Sequence, residues 1–479
     1  MKPKAQDVPA TDDLFRSRLD HIINMRHELV KLANRIDWSH LDAEAAPFYA
    51  EEGRPGIPTR LMVGLLVLKH MFSLSDEEVC ARWEYDPYFQ YFCGEVYFQH
   101  RFPIERSSLS HWRKRLGEDF CEKLIQESLR VAFAAQALSQ RELKKVVVDT
   151  TVQPKAVTYP TEAKLRFRAL IALVRLARTH HVTLRQSYVR VAKRALVMSG
   201  RYRHAKQMKR AKRQERFIQV RLGRVIRDIR RQIQGDEDKQ LAFAEALRKA
   251  NILFWQHRDS PEKLYSWHAI ETECIGKGKA DKPYEFGCKV SIATTVHPAK
   301  AGHFVIHAQA LHGRPYDGHT LKPVIAGMTR LTGIEPQRIL VDKGYRGHDY
   351  DHPHRVYRSG QKRGVTAAIK KELKRRAVVE PLIGHLKNEG HLGRNYLKGI
   401  EGDKINVLLT AAGYNFRLLL KWLRRFFGLA ARGLMNLFQR FLISPPIQIH
   451  FHSPLKGVFN GRLFTRRYGR CWSILACDQ

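Results

Sequence analysis

The sequence predicts an α/β fold: a sheet flanked by helices, a helical region ahead of it and a basic helical segment set within it. Three observations carry that prediction. Two short apolar runs, Val146–Val148 and Ile339–Val341, each lead straight into one Asp, the pattern of a buried strand. Residues 284–295 and 303–311 alternate with β-rich composition around a loop holding Pro298 and Gly302, the pattern of a hairpin. Residues 12–135 and 164–231 instead repeat their apolar positions at helical spacing.

Size and charge bound the partners. The 479 residues suffice for two to four domains and at least one sizeable core, and 44% of them are apolar. Lys and Arg number 84 against 47 Asp and Glu, a formal charge of +37. Self-repulsion of that size calls for an anionic partner. Nucleic acid fits best, because each neutralised phosphate releases counterions; a membrane surface or an acidic protein fits the charge alone. The polar start, Met1–Thr11, predicts no signal peptide. The longest apolar stretches, Leu61–Leu68 and Leu429–Ile443, are too short or carry Arg where a bilayer needs about 20 apolar residues, so no membrane span is expected. Seven scattered Cys form no C-x-x-C pair, which predicts reduced thiols, no zinc site and a cytoplasmic location. Gly276-Lys-Gly-Lys279 falls short of a Walker loop, so ATP dependence is not expected and the segment reads as a flexible basic loop.

Along the chain, Leu61–Met71 predicts an apolar helix entered through Pro58 and Thr59. Ser75-Asp-Glu-Glu78 has the form of a capping box, followed by Val79, Cys80 and Trp83 at helical spacing. Arg106–Gly117 predicts a short helix, capped by Ser107 or Ser108 and ended by Gly117. Leu109, Trp112 and Leu116 would face inward, and His111, Arg113, Lys114 and Arg115 mostly outward. Two readings of that outer face stand: a helix presented to DNA, and an ordinary solvated basic face. Lys144–Thr151 predicts the first strand. Lys164–Arg231 holds 22 Lys or Arg and two acids, Glu215 and Asp228, with apolar positions such as Val220, Leu222, Val225, Ile226 and Ile229 at helical spacing. Its nearly all polar stretch Gly200–Arg213 reads as the link between two helices. A phosphate-binding insertion and a solvated hairpin are both open for this block. His319–Leu331 predicts a helix despite Pro323, Arg338–Tyr345 a second Asp-bearing strand, Thr366–Glu389 a mostly helical segment stopped by Gly390, and Asn406–Phe427 an amphipathic basic helix. Pro445–Gln479 has no periodicity and is expected to pack poorly.

The chemistry sits on the two Asp-bearing strands. If they run parallel as neighbours, Asp149 and Asp342 lie side by side, and two carboxylates that close repel unless a divalent cation intervenes. Glu380 is the candidate third carboxylate. Arg376 precedes it by one helical turn and Lys387 follows by two, so one helix stripe carries an acid flanked by bases. Pro381 disfavours helical geometry at Glu380, so a kink or break is expected there. Taken alone, Arg376-x-x-x-Glu380 also reads as a surface salt bridge. His348, His352 and His354 read as a polar loop rather than a metal site, since no further ligand completes a set.

In these motifs the sequence resembles the DDE transposases of bacterial insertion sequences, and most closely the insertion-sequence-five type. The resemblance rests on VVVDTT, KLYSWHA (263–269), ECIGKGKA (273–280), KPYEFGCKVSIATT (282–295), ILVDKGYRGHD (339–349) and RAVVEPLIGHLK (376–387), in that order, and covers about residues 40–430. It implies an RNase H-like catalytic core, a mixed sheet flanked by helices, assembled from residues 140–160 and 280–430. It also implies a helical DNA-binding region over 1–135, a basic helical insertion over 161–279 and a tail over 431–479 that is poorly ordered. The tail has no counterpart in the family and would arise by read-through or an altered frame. Asp149, Asp342 and Glu380 would be the catalytic and metal-holding residues, with Mg²⁺ or Mn²⁺ as cofactor. Arg376, Lys387, Tyr345, Arg113 and Lys114 would contact DNA. The expected activity is cutting at the element's ends and joining of the freed 3′-hydroxyl to target DNA. Its partners would be terminal inverted repeats, target DNA and a second copy when DNA is bound, at the bacterial nucleoid. A nuclease with the same site, or a decayed DNA-binding protein, are the alternatives. The family signature carries Tyr three residues before the Arg; here that position is Leu373.

Overall fold

Valine explains the sheet. In β1 (Lys145–Pro154), Val146, Val147 and Val148 are all buried, so the strand is covered on both faces. It pairs in parallel with β5 (Arg338–Val341) and antiparallel with β3 (Tyr284–Thr295). On its other edge β3 carries β2 (Glu273–Gly276) and β4 (Val305–Leu311), and β6 (Val356–Arg358) adds in parallel beyond β5. The result is a six-stranded mixed sheet of order β2-β3-β1-β5-β6, with β4 beside β3. β3 and β4 are the hairpin predicted around Val296–Gly302. Gly287 lies opposite Pro154 in the β1–β3 pairing, and a Cβ there would lie 1.9 Å from the Gln153 carbonyl oxygen.

The computed structural model describes residues 17–443 except 51, 53–55, 258 and 277–282, with side chains to Arg425. The expectations for Met1–Thr11, for the loop after Gly276 and for residues 444–479 fall outside the described residues. Residues Met1–Phe427 form one unit. Of the second, Gly428–Gln479, only the helical backbone up to Ile443 is described.

Among the described residues, eight α-helices precede β1: α1 (Leu19–Ile22), α2 (Glu28–Ala33), α3 (Trp38–Ala45), α4 (Thr59–Phe72), α5 (Asp76–Tyr85), α6 (Pro87–Phe92), α7 (Ser108–Ala134) and α8 (Gln140–Leu143). α5 starts in the predicted capping box of Ser75 and Glu78. α7 breaks at Gly117 (φ 69°), the predicted stop, but helix resumes at once. Ser107 holds the N-cap position of α7 without a side-chain hydrogen bond to it. Four helices follow β1: α9 (Glu162–Thr179), α10 (Val189–His204), α11 (Met208–Gln232) and α12 (Glu237–Trp255). They share their own apolar core, built on Leu170, Leu173, Leu222, Ile226 and Phe243. α13 (Leu321–Thr332) takes Pro323 in its first turn, where no helical N–H is lost. α14 (Ala367–Arg375), α15 (Val379–Asn388) and α16 (Gly399–Ile443) are the last helices of the described residues.

Several local expectations are corrected. The insertion expected to reach residue 279 stops earlier, because Glu273–Gly276 joins the sheet. Gly200–Arg213 is not a long link: helix runs on both sides of a turn at 205–207, since its Lys and Arg are good helix formers. Val220 is exposed on α11. The helix expected over Asn406–Phe427 forms within α16, with Lys421, Arg424 and Arg425 exposed, but its first half has no wet face. Every residue from Ile405 to Phe416 is buried, because the helix passes through a core that runs from Leu29 to Leu423 and joins the N-terminal helices to one face of the sheet. Asn415 fixes it there, donating to the Val305 carbonyl (2.8 Å) and Ser128 Oγ (3.0 Å) and accepting from the Val305 N–H (2.9 Å).

Candidate active site

Strand alternation aims the carboxylates. Val146, Val148, Ile339 and Val341 face the main core, whereas Val147 and Leu340 pack on the opposite face with Val296 and Val379. With a period of two, Asp149 and Asp342 fall on the face of Val147 and Leu340, the one α15 covers. The parallel register pairs Val147 with Leu340; carried two residues on, it sets Asp149 level with Asp342. Asp342 leaves β5 at its end, whereas Asp149 sits mid-strand, since β1 continues to Pro154.

Glu380 arrives from the helical side. The break expected at Pro381 falls instead at Arg376–Val378, a 3₁₀ turn between α14 and α15. Pro381 then sits in the first turn of α15, where it costs no hydrogen bond. Arg376 spans the site. Its guanidinium lies 3.2 Å from Asp149 Oδ2, 3.7 Å from Asp342 Oδ1 and 3.6 Å from Glu380 Oε1. Asp149 is the most enclosed of the three acids and Glu380 the most open, at 19% and 67% side-chain exposure. Burial pushes the Asp149 carboxyl above the ordinary aspartate range. Its bond from the Thr150 N–H and the Arg376 charge oppose that shift, and the nearby Asp342 and Asp317 charges add to it.

Glu372 holds the two Asp-bearing strands together at their start, on the face that carries the Asp side chains. Its carboxylate binds Lys145 (2.6 Å) and Arg338 (2.8 Å), which are opposite one another at the start of the β1–β5 ladder. Burial alone would raise this carboxyl, but hydrogen bonds from Lys145 and Arg338 hold it below the ordinary glutamate range. A depressed pKa contributes stability above the unfolded value, and that contribution is lost as pH falls through the folded one. Glu372→Gln should therefore destabilise the fold by on the order of 2 kcal/mol at pH 7. The gap to wild type should close below about pH 4. Urea unfolding at both pH values checks this, and an equal gap at both contradicts it.

The other predicted DNA-contacting residues separate. Lys114 is exposed on α7. Arg113 is not, correcting its expected outward orientation: it is 3% exposed and binds Asp76 at 2.5 Å, alongside Lys69 at 2.6 Å. It ties α7 to α5 and offers no surface to DNA. Tyr345 is likewise buried, at 1% exposure, so the aromatic contact expected of it is not available. Burial, with Asp317 and Asp149 close by, pushes its hydroxyl far above the ordinary tyrosine range. Lys387 lies partly buried on α15, two turns past Glu380. Leu373, where the family carries Tyr, packs with Val147, Leu340 and Val379, on the same face of the sheet as the two Asp side chains. His352 and His354 meet edge to face, with ring centres 5.8 Å apart, just before β6.

Sequence reasoning missed Asp317. Its Oδ1 accepts from Thr150 Oγ1 at 2.9 Å and pairs with Lys289 at 2.6 Å, and its Oδ2 would lie 3.1 Å from a Cβ on Gly344. It therefore sits between both Asp-bearing segments. The only signal was a Tyr316-Asp-Gly318 turn; its partners come from different strands, and no spacing encodes them. Among the described residues, Cys288, His312 and Asp403 offer ligand atoms within 4.8 Å of one another. Asp403 Oδ1 accepts from Lys155 (2.8 Å) and Asn395 (2.6 Å), whereas its Oδ2 lies 3.7 Å from His312 Nε2 and neither of those two atoms has a hydrogen-bond partner.

Comparison with known proteins agrees with this architecture. Residues 17–115 match the family described as "Transposase domain (DUF772)", and residues 256–416 match "Transposase DDE domain". The chain is also 50% identical over 196 residues to "Uncharacterized protein ORF8 in nfe locus" of Rhizobium meliloti, an alignment covering 41% of this chain and 95% of that protein. No solved structure matches. The chain belongs to the DDE transposases of insertion sequences, with the mixed sheet and flanking helices of their RNase H-like core. The family acts on DNA and normally uses a divalent metal ion. Among the described residues, no helix is long and apolar enough to cross a membrane.

Proposed function

We propose that this chain is a catalytically competent transposase of the insertion-sequence-five type. In this reading it cuts DNA at its element's ends and joins the freed 3′-hydroxyl to target DNA. The observation that carries the reading is the convergence of Asp149, Asp342 and Glu380 on one cation, the Arg376 guanidinium. Three carboxylates that already share a positive charge are a donor set of the type hard divalent cations take, which supports Mg²⁺ or Mn²⁺ held by these residues. Bound there, two such ions would activate a water or 3′-hydroxyl and stabilise the leaving oxygen.

The chain's own residues do the rest. Asp149, set mid-strand and fixed by the Thr150 N–H at 2.8 Å, gives the site its rigid anchor. Asp342 and Glu380, more open, face the side from which a phosphodiester approaches. Arg376 and Lys387 hold backbone phosphates along α15, and exposed Lys114 adds a contact from the N-terminal helices. Those helices (1–135) would bind the terminal repeats, with catalysis in 140–160 and 280–430. Assembly would pair two copies on two ends, at the bacterial nucleoid.

The test is incubation of the protein with DNA carrying its gene's own flanking repeats, in Mg²⁺, Mn²⁺ or EDTA. Metal-dependent nicks at the repeat ends, followed by joined products, are expected. Nicks without joining indicate a nuclease with the same site. Binding without nicks in either metal refutes catalysis and leaves a DNA-binding protein.

A further inference from the structure

The four-helix insertion lies outside both matched family segments, which end at 115 and resume at 256. Its charge is one-sided. Residues 189–232, which hold α10, α11 and the turn between them, carry 16 Lys or Arg against two acids. α12, packed in the same bundle, carries three of each. A face kept polar only for solubility has no reason to sort its charges this way.

Both acids of the hairpin are turned inward and used. Glu215 accepts from Ser199 at 3.0 Å and pairs with Arg203, and Asp228 accepts from the Arg185 N–H at 2.9 Å and pairs with Arg231 at 3.3 Å. The outer surface is left cationic. On α11, Lys209, Arg213, Arg216, Arg224 and Arg227 are all exposed, and among the described residues none has an acidic partner. Their spacings of three, four and eight residues fall on one side of a helix, interrupted only by exposed Val220. Extended to Arg231, the row is roughly 33 Å long at 1.5 Å per residue. α10 repeats the device with Arg190, Arg194 and Arg201 around exposed Val197.

We propose that the α10–α11 hairpin is a second DNA-contacting surface, separate from the carboxylate site, that grips the backbone of duplex DNA without reading its sequence. A straight row of cations about one DNA turn long suits a rod with a charge every ~1.7 Å. Long flexible Arg and Lys side chains on a helix reach phosphates, and phosphate contacts position DNA without reading its sequence. The surface would hold DNA beyond the cut, flanking or target, where no fixed sequence is available. The proposal rests on the transposase reading for its biological use, but not for its test.

The test compares full-length wild type with Lys209→Gln, Arg213→Gln, Arg216→Gln, Arg224→Gln and Arg227→Gln combined. Binding to a 30-bp duplex unrelated to the element is followed by anisotropy from 50 to 200 mM salt. Each lost phosphate contact lowers the salt slope by about 0.9, so the slope should fall by roughly four units and affinity near 0.1 M by at least about 100-fold. Replacing the four Arg with Lys should restore most binding, since charge is the requirement. Combined Arg190→Gln, Lys193→Gln, Arg194→Gln and Arg201→Gln gives a second variant in case the first fails to fold, with circular dichroism as the check. An unchanged slope in folded variants overturns the proposal, as does a loss confined to single-stranded RNA. If the hairpin variants lose duplex binding but wild type never cuts its element ends, the hairpin stands and the transposase reading falls. If wild type cuts and the slope does not move, the hairpin alone falls.

Discussion

Asp342→Asn should leave a folded, DNA-binding protein that no longer cuts. The side chain is about half exposed and its ion-pair partner, Arg376, is 3.7 Å away, so the amide should change stability by no more than about 0.5 kcal/mol. Its effect on cutting should be far larger. Losing one of three carboxylates that would hold metal charge should slow cleavage at least about 1,000-fold, or roughly 4 kcal/mol on the barrier. Asp149→Asn should abolish cutting as well, with a different signature in stability. Burial raises the Asp149 carboxyl, so its ionisation at neutral pH works against the folded state. A raised folded pKa contributes stability that is present at low pH and lost as pH rises through it. Removing that charge should leave the melting temperature unchanged or raise it at pH 7, with the difference vanishing in acid. Single-turnover cleavage and thermal melts of both variants measure this. A variant that unfolds, or one that still cuts, would contradict the assignment of that carboxylate.

What was readable beforehand follows from what sequence encodes. Two short apolar runs ending in Asp announce buried strands, and period-two alternation fixes the face each Asp takes once the strands are paired. That pairing is itself nonlocal: Lys145 meets Arg338 across 193 residues, and only their common partner Glu372 shows what holds them. Helical periodicity showed that Leu109, Trp112 and Leu116 point inward. It could not show that Arg113, between them, is drawn in by Asp76 on another helix. Tyr345 misled for the same reason, because a tyrosine after a catalytic-type Asp looks available until the segment Asp317–Thr320 is folded against it. α16 misled differently. Its scattered Asn, Tyr and Arg suggested a wet face, whereas Asn406 and Asn415 spend their amides on buried backbone and side-chain partners.

Arg376→Gln should separate the two roles assigned to that guanidinium. Without metal, Arg376 is the one cation within 4 Å shared by Asp149, Asp342 and Glu380 among the described residues. A divalent ion entering the same space must displace it, so the native Arg weakens metal binding. Two of the three acids are well exposed, and water screens much of the attraction. The net competition should be worth about 1.4 kcal/mol, or a tenfold gain in apparent Mn²⁺ affinity for the variant without DNA. That gain should register as a larger Mn²⁺-induced rise in melting temperature, from a lower metal-free starting point. With DNA present the sign should reverse. The displaced guanidinium is placed to take a backbone phosphate beside Glu380, and Gln carries no charge to do so. Cleavage should therefore fall although metal binds more tightly. The alternative is a guanidinium that only braces α15 against the sheet. It predicts weaker or unchanged Mn²⁺ affinity, and that result would remove the argument that Arg376 marks the metal position.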